Sequence, residues 1–205
     1  MLEPEVARSA GAPLLHAGKS VDRRIADPSG NLVAEVHGGI GDIDTGISAA
    51  LAAGGAVVQE RYTTQRVQHA HLETHGCTGW RDEDGRLVLR TSSQVPFLIR
   101  DELCHVFGLE RDDVRVFTRR VGGGFGGKQE MLTEDIVTLA VLRLGRPVRY
   151  EYSRSNQFTM APCRHPYRID VTAAAGADGA LTALAVDVPI DAGAYGHHSP
   201  GVMFH

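Results

Sequence analysis

The residues of this 205-residue chain best equipped for chemistry fall in three short runs. The first is Val121-Gly122-Gly123-Gly124-Phe125-Gly126-Gly127-Lys128-Gln129-Glu130, in which glycines surround a single phenylalanine. With almost no Cβ atoms in the way, its main-chain N–H groups can converge on an anion, and glycine supplies the positive φ angles that such a loop requires. An apolar stretch precedes it (Val114, Val116, Phe117) and an amphipathic pattern follows. The loop is therefore expected to open a helix whose positive end favours negative charge. The second run is Thr91-Ser92-Ser93-Gln94 ahead of Pro96, which sets an amide at the mouth of a helix. The third is His69-Ala70-His71-Leu72-Glu73-Thr74-His75. On a strand, its His69, His71, Glu73 and His75 share one face, a donor set of the kind zinc accepts.

Each run also has a plainer reading. The glycines can form a structural turn, Phe125 can plug the core to anchor that turn, and Gln94 can cap a helix or face solvent. Two nucleotide motifs overlap the glycine run as well. Gly122, Gly124 and Gly127 satisfy G-x-G-x-x-G, but about twenty residues on stands Leu144-Gly145-Arg146-Pro147, a helix stop and no ribose-binding acid. Gly122 to Lys128 fits G-x-x-x-x-G-K, yet Gln129 stands where a magnesium-binding hydroxyl belongs. A nucleotide-binding domain built on this loop is the weaker alternative.

The elements that must position these runs read as a mixed α/β arrangement. A short helix is expected over 42–53, strands over 56–64 and 86–92, and a helix over 96–107 capped by Ser93 and stopped by Gly108. Its apolar positions are Phe97, Ile99, Leu103, Val106 and Phe107. A strand over 113–119 leads into the glycine loop, and a second helix over 129–144 buries Leu132, Ile136, Leu139, Ala140 and Val141. A strand over 148–152 and a hairpin of 167–174 and 181–191 follow, turned by Gly176-Ala177-Asp178-Gly179. Residues 1–40 show no sustained apolar period.

Composition narrows the class. Hydrophobic residues make up 42% of the chain and the formal net charge is −4, enough for a real core and no electrostatic reason to expect nucleic acid. No apolar run approaches the roughly 20 residues that span a bilayer. Cys77, Cys104 and Cys163 are scattered and odd in number, fitting neither a disulfide framework nor a cysteine-rich zinc or iron–sulfur site. The expectation is a reduced, cytoplasmic protein without a cluster of its own, a membrane anchor or a nucleic-acid partner.

The runs also occur in a telling order. The segment 121–130 resembles the first molybdopterin-binding segment of the xanthine dehydrogenase and aldehyde oxidase family, the molybdenum hydroxylases. His71-Leu72-Glu73-Thr74-His75, Thr91-Ser92-Ser93-Gln94, Arg164-His165-Pro166 and Gly193-Ala194-Tyr195 are similar to further elements of that family, in the family's order.

The resemblance implies the family's first molybdopterin-binding domain over 41–205, incomplete at its C-terminal end, with 1–40 as a linker from an upstream small α/β domain. It implies a molybdenum–molybdopterin cofactor, in plain or cytosine dinucleotide form, held by Gln94, Gly123, Gly124, Phe125 and Gly126. Gln94 is expected at a molybdenum ligand, the Phe125 backbone near the metal, and Phe125 and Gln129 at the substrate. Purine-oxidising members of animal type carry glutamate at the position of Gln129, so an amide here argues against that chemistry. Glu130, about 100° further around the expected helix, should face elsewhere. The resemblance makes the histidine run, His165 and Arg164 structural.

The implied reaction is hydroxylation of a heterocycle (purine-like or nicotinate-like) or an aldehyde with oxygen from water. Iron–sulfur ([2Fe–2S]) and FAD groups are expected on partner subunits or domains, and the general base beyond residue 205. The isolated chain is therefore expected to be inactive. A non-catalytic remnant or assembly subunit is the alternative.

Overall fold

Two different cores organise the chain, one built from the smallest side chains and one from branched aliphatics. The computed structural model describes residues 3–21, 25–196 and 198–204. It divides into two compact units, residues 1–67 with 165–205, and residues 68–164.

The first unit holds helices α1 (Pro4–Arg8) and α2 (Ile43–Ala52), strand β1 (Ala56–Thr63) and the later elements β6, β7 and α6 given below. Asp42 caps α2 by accepting the Thr45 N–H at 2.7 Å.

The second unit carries β2 (Gly76–Arg81), β3 (Leu87–Thr91), α3 (Pro96–Phe107), β4 (Val114–Phe117), α4 (Glu134–Leu144), β5 (Val148–Glu151) and α5 (Arg154–Met160). Its strands form one sheet in the order β4-β3-β2-β5. The β3–β4 pair is parallel and the others antiparallel. A parallel pair cannot be joined by a tight turn, and α3 supplies the crossover. Cys77, Leu87, Leu89, Val114 and Val116 project to one face, where Ile99 and Leu103 of α3 and Val137 and Val141 of α4 complete the core. A Cβ at Gly79 would lie 2.7 Å from Val137, so that glycine lets α4 rest on β2. On the opposite face Trp80 meets Phe117 edge-on at 6.3 Å, with the Arg115 guanidinium 5.3 Å from the Phe117 ring centre.

The chain then returns to the first unit through β6 (Arg168–Ala175) and β7 (Leu181–Asp187), and ends in α6 (Ser199–Met203). These strands make an antiparallel sheet in the order β1-β6-β7, covered by α2. Its core is Ala50, Ala174 and Ala183, with Ile47 and Val57 at the margin.

Four sequence expectations are corrected. The glycine loop does not open a helix: α4 begins at Glu134, seven residues beyond Gly127, because residues 128–133 are occupied in bends that tie the loop to its surroundings. Gln129 and Glu130 thus lie outside any helix, and the angular argument separating them lapses. Within α4 the buried face is Val137, Thr138 and Val141, while Ile136 and Leu139 are each 48% exposed. Ser93 does not cap α3; it accepts the Val95 N–H at 3.0 Å, and Val95 stands at the cap position with no side-chain bond. Finally, residues 69–75 are not a strand, since the backbone turns at Ala70 with φ 52°.

Candidate functional site

Both strands of the parallel pair end at the same place. Gln94 follows β3 by three residues, and the glycine loop follows β4 by a similar stretch. In open sheets, ligands favour the space outside the carboxyl ends of parallel strands, where loops replace the continuing ladder.

The two segments are paired. The Gln94 N–H donates to the Lys128 carbonyl at 2.8 Å, and the Gln94 Oε1 accepts the N–H groups of Gly126 and Lys128, each at 3.2 Å. With its oxygen turned inward, Gln94 presents the Nε2 donor outward from an exposed position. At the loop's entrance, the Glu73 N–H donates to the Gly122 carbonyl at 3.1 Å, and the Gly122 N–H to Glu73 Oε2 at 2.7 Å. Gly127 N–H closes a turn on the Gly124 carbonyl at 2.8 Å.

Among the described residues, the N–H groups of Gly123, Gly124 and Phe125 find no acceptor in the chain. Gly123 has φ 92° and Phe125 φ 52°, a left-handed geometry that turns successive amides to one side. Phe125 is no core plug: it is 74% exposed. Beside it, a Cβ at Gly126 would meet no atom within 4 Å, so the approach to the loop is open. Gln129 is half-buried.

The histidine run supports the loop from beneath. Among the described residues no cluster of three His, Cys, Asp or Glu is placed to hold a metal; His71, Glu73 and His75 are bonded within the chain, and the buried His69 Nδ1 has no hydrogen-bond partner. His71 Nδ1 lies 2.5 Å from the Glu73 carbonyl. His75 lies between Gln157 Oε1, 2.9 Å from its Nδ1, and the Gly127 carbonyl, 3.0 Å from its Nε2. Two acceptors facing both ring nitrogens favour the imidazolium, but burial and the nearby Lys128 charge outweigh them and hold the His75 pKa below the usual histidine value. Burial likewise lowers His71, assisted by Lys128 and opposed by the Glu73 carbonyl. His69 is lowered by burial, then by the charges of His75 and Arg164.

Lys128 decides one sequence alternative. Its side chain is 0% exposed, and its Nζ donates to Glu73 Oε2 at 2.9 Å and Ser92 Oγ at 2.6 Å. A phosphate-loop lysine must reach into the ligand, and this one is spent beneath the loop. Burial works to raise the Glu73 pKa, but the hydrogen bonds from Ser92, Lys128 and Gly122 prevail and leave it below the ordinary glutamate value.

Sequence reasoning missed Gln157, buried on the short helix α5 with His75, and Glu134. The Glu134 carboxylate accepts the Leu132 and Thr133 N–H groups at 3.0 Å each and bonds the Thr91 hydroxyl, holding the exit of the loop to the end of β3. His165 belongs to the first unit, its Nε2 2.8 Å from Ser199 Oγ. No helix among the described residues is long and apolar enough to cross a membrane.

Residues 26–205 match the model of the molybdopterin cofactor-binding domain. A relative from Escherichia coli K12 named "Probable hypoxanthine oxidase XdhD" is 37% identical over 172 residues, covering 84% of this chain and 18% of the relative. The nicotinate dehydrogenase large molybdopterin subunit of Eubacterium barkeri is 31% identical over 163 residues, covering 80% of this chain and 37% of that protein. The fold is shared with the aldehyde oxidoreductase of Desulfovibrio gigas, at TM-score 0.78 and 23% identity over 92% of this chain and 19% of that one. CO dehydrogenase from Oligotropha carboxidovorans is similar at TM-score 0.72 and 26% identity, over 92% and 24% of the two chains. This chain therefore spans 18% to 37% of the length of these relatives, and it belongs to the molybdopterin cofactor-binding domain family of the xanthine dehydrogenase and aldehyde oxidase enzymes.

Proposed function

We propose that this chain is the cofactor-positioning part of a molybdenum hydroxylase that oxidises a heterocycle, purine-like or nicotinate-like, or an aldehyde with oxygen drawn from water. The observation that carries the reading is the row of three unpaired N–H groups, Gly123 to Phe125, beside the outward amide of Gln94. Those residues and Gly126 suit an anionic pterin, because dipoles fixed in advance can replace water around negative charge without reorganising. When bound, the cofactor supplies the two-electron oxidation and oxygen transfer. The chain's own share is to bind and orient: the loop amides take the anionic portion, Gln94 donates a hydrogen bond toward the metal's ligands, and Phe125 and Gln129 meet the substrate. Gln129, a neutral amide, can bond a ring nitrogen or carbonyl but holds no proton to give, which favours substrates needing no carboxylate there.

The reading assigns the general base to sequence outside this chain, and the [2Fe–2S] and FAD groups to partner subunits. It takes 1–40 as a connector, the cellular site as the cytoplasm, and the cofactor as either molybdopterin or its cytosine dinucleotide. Metal and pterin analysis of the complete enzyme tests it. Molybdenum with stoichiometric pterin, lost on Gly124→Val, is the expected result. An enzyme without either group overturns the reading in favour of a non-catalytic remnant or assembly subunit.

A further inference from the structure

The loop's entrance and exit are joined by a single buried side chain. Gly122 is doubly paired with Glu73, and Lys128 is doubly paired with Gln94, so each end has its own anchor. The Lys128 side chain then runs back beneath the loop to the entrance, where Glu73 Oε2 receives the Gly122 N–H, the Lys128 ammonium and the Ser92 hydroxyl together. Ser92 Oγ accepts from Lys128 at 2.6 Å and donates to Glu73 at 2.5 Å, which closes the triangle with each proton used once. A Cβ on Gly122 would lie 2.5 Å from the Glu73 Cβ, so only glycine allows this approach.

Burying a lysine is expensive unless its charge is paired, and an apolar replacement of such a pair often costs little stability. With the Lys128 side chain wholly buried and its partner Glu73 39% exposed, the pair answers the cost of burying the lysine only in part and is therefore poorly explained as a stabilising device. What it does fix is the span between Gly122 and Lys128, and hence the direction of the three free amides between them.

We infer that Lys128 and Glu73 are positioning residues, an ionic latch anchored on the buried Lys128 side chain that holds the loop in its anion-accepting shape. The inference rests on the reading of the loop as the molybdopterin cradle. Neither residue touches the cofactor; both act through Gly122 and the loop backbone. A latch of this kind is the supporting layer that sets ligand geometry, and its loss costs about tenfold to a hundredfold in affinity.

The test is the double variant Glu73→Gln/Lys128→Met, which removes both charges and leaves neither unpaired. Amide exchange is measured on the chain, and cofactor release on the complete enzyme. The expected result is a melting temperature close to wild type, unchanged exchange in the sheet, exchange at the bonded amides of Gly122 and 126–128 about tenfold faster or more, and cofactor release about tenfold to a hundredfold faster. Ser92→Ala, which removes one side of the triangle without stranding a charge, should accelerate the same amides and guards against a double variant that does not fold. Wild-type exchange at Gly122 and 126–128 in both variants, or wild-type cofactor release despite faster exchange, overturns the inference. If the amides accelerate as expected but the wild-type enzyme holds no molybdopterin, the latch stands and the functional reading falls.

Discussion

Gly124→Ala should damage the loop through Gln94 and not through the backbone. Gly124 has no positive φ, so alanine suits its conformation. The added Cβ, however, would lie 2.7 Å from the Gln94 Cδ and 3.1 Å from its Cγ, and against Oε1. The amide must swing away, breaking its bonds to the Gly126 and Lys128 N–H groups. Two neutral hydrogen bonds at about 1 kcal/mol each give about 2 kcal/mol of lost local order. Gln94→Ala removes the same two bonds and should also cost about 2 kcal/mol, while leaving room for a methyl at 124. The double variant should therefore cost about 2 kcal/mol, not about 4, a coupling on the scale seen for residues in contact. Amide exchange at Gly126 and Lys128 reads this directly, about thirtyfold faster in all three variants. Additive losses, or normal protection at those amides in Gly124→Ala, would refute the argument.

Gly123→Val should strip the complete enzyme of molybdenum while sparing expression, since a β-branched residue at φ 92° is strained by about 1–3 kcal/mol; normal metal content in that variant counts against the cradle. In the complete enzyme, Gln94→Ala should keep part of its cofactor and slow substrate oxidation by no more than a few kcal/mol of barrier, and an unchanged rate of reduction by substrate would reject the donor role. Burial is the main reason that His69, His71 and His75 have pKa values below 6.5, so the folded chain binds fewer protons than the unfolded one just under that pH. Stability should then be full above the unfolded value and fall as pH drops from about 7 to about 5, with His75→Gln flattening the slope; urea midpoints that rise on acidification would contradict this. Burial, then the Glu134 charge, push the Cys77 thiol up, so iodoacetamide should label Cys104 and Cys163 before Cys77, and early loss of Cys77 would show that the core opens.

What was legible in the sequence follows from how the residues signal. Both ends of α3 were plain because Pro96 and Gly108 punctuate them, and Gly145 marked the end of α4 with the φ 64° expected of a helix stop. The beginning of α4 was misplaced because Thr133, at its cap position, makes no side-chain cap bond, while the Glu134 carboxylate turns back to the Leu132 and Thr133 N–H groups that precede the helix. Strand β2 passed unnoticed: Gly76 and Gly79 interrupt its pattern, yet Gly79 is required there by the contact with α4. The 69–75 run imitated a strand by alternating polar and apolar residues, a periodicity that the turn at Ala70 defeats. At the site, the glycine loop was evident from local composition alone. The union of Lys128 with Glu73 was not, since nothing in the spacing of residues so distant in sequence says which buried charge will meet which.

The alanine-and-glycine seam between α2 and its sheet has a consequence for sequence drift. Gly46 lies against the Thr182 carbonyl and the Ala183 methyl, Ala50 is wholly enclosed, and Ala174 and Ala183 complete the contact. A layer this thin has no slack in either direction: an added methylene must push the helix off the strands, and a lost methyl leaves a gap that no neighbour is long enough to fill. Aliphatic cores drift by trading volume between neighbouring side chains, and here there is almost no volume to trade. Random replacement at 46, 50, 174 and 183, followed by selection for folded protein, should return little beyond glycine, alanine and serine.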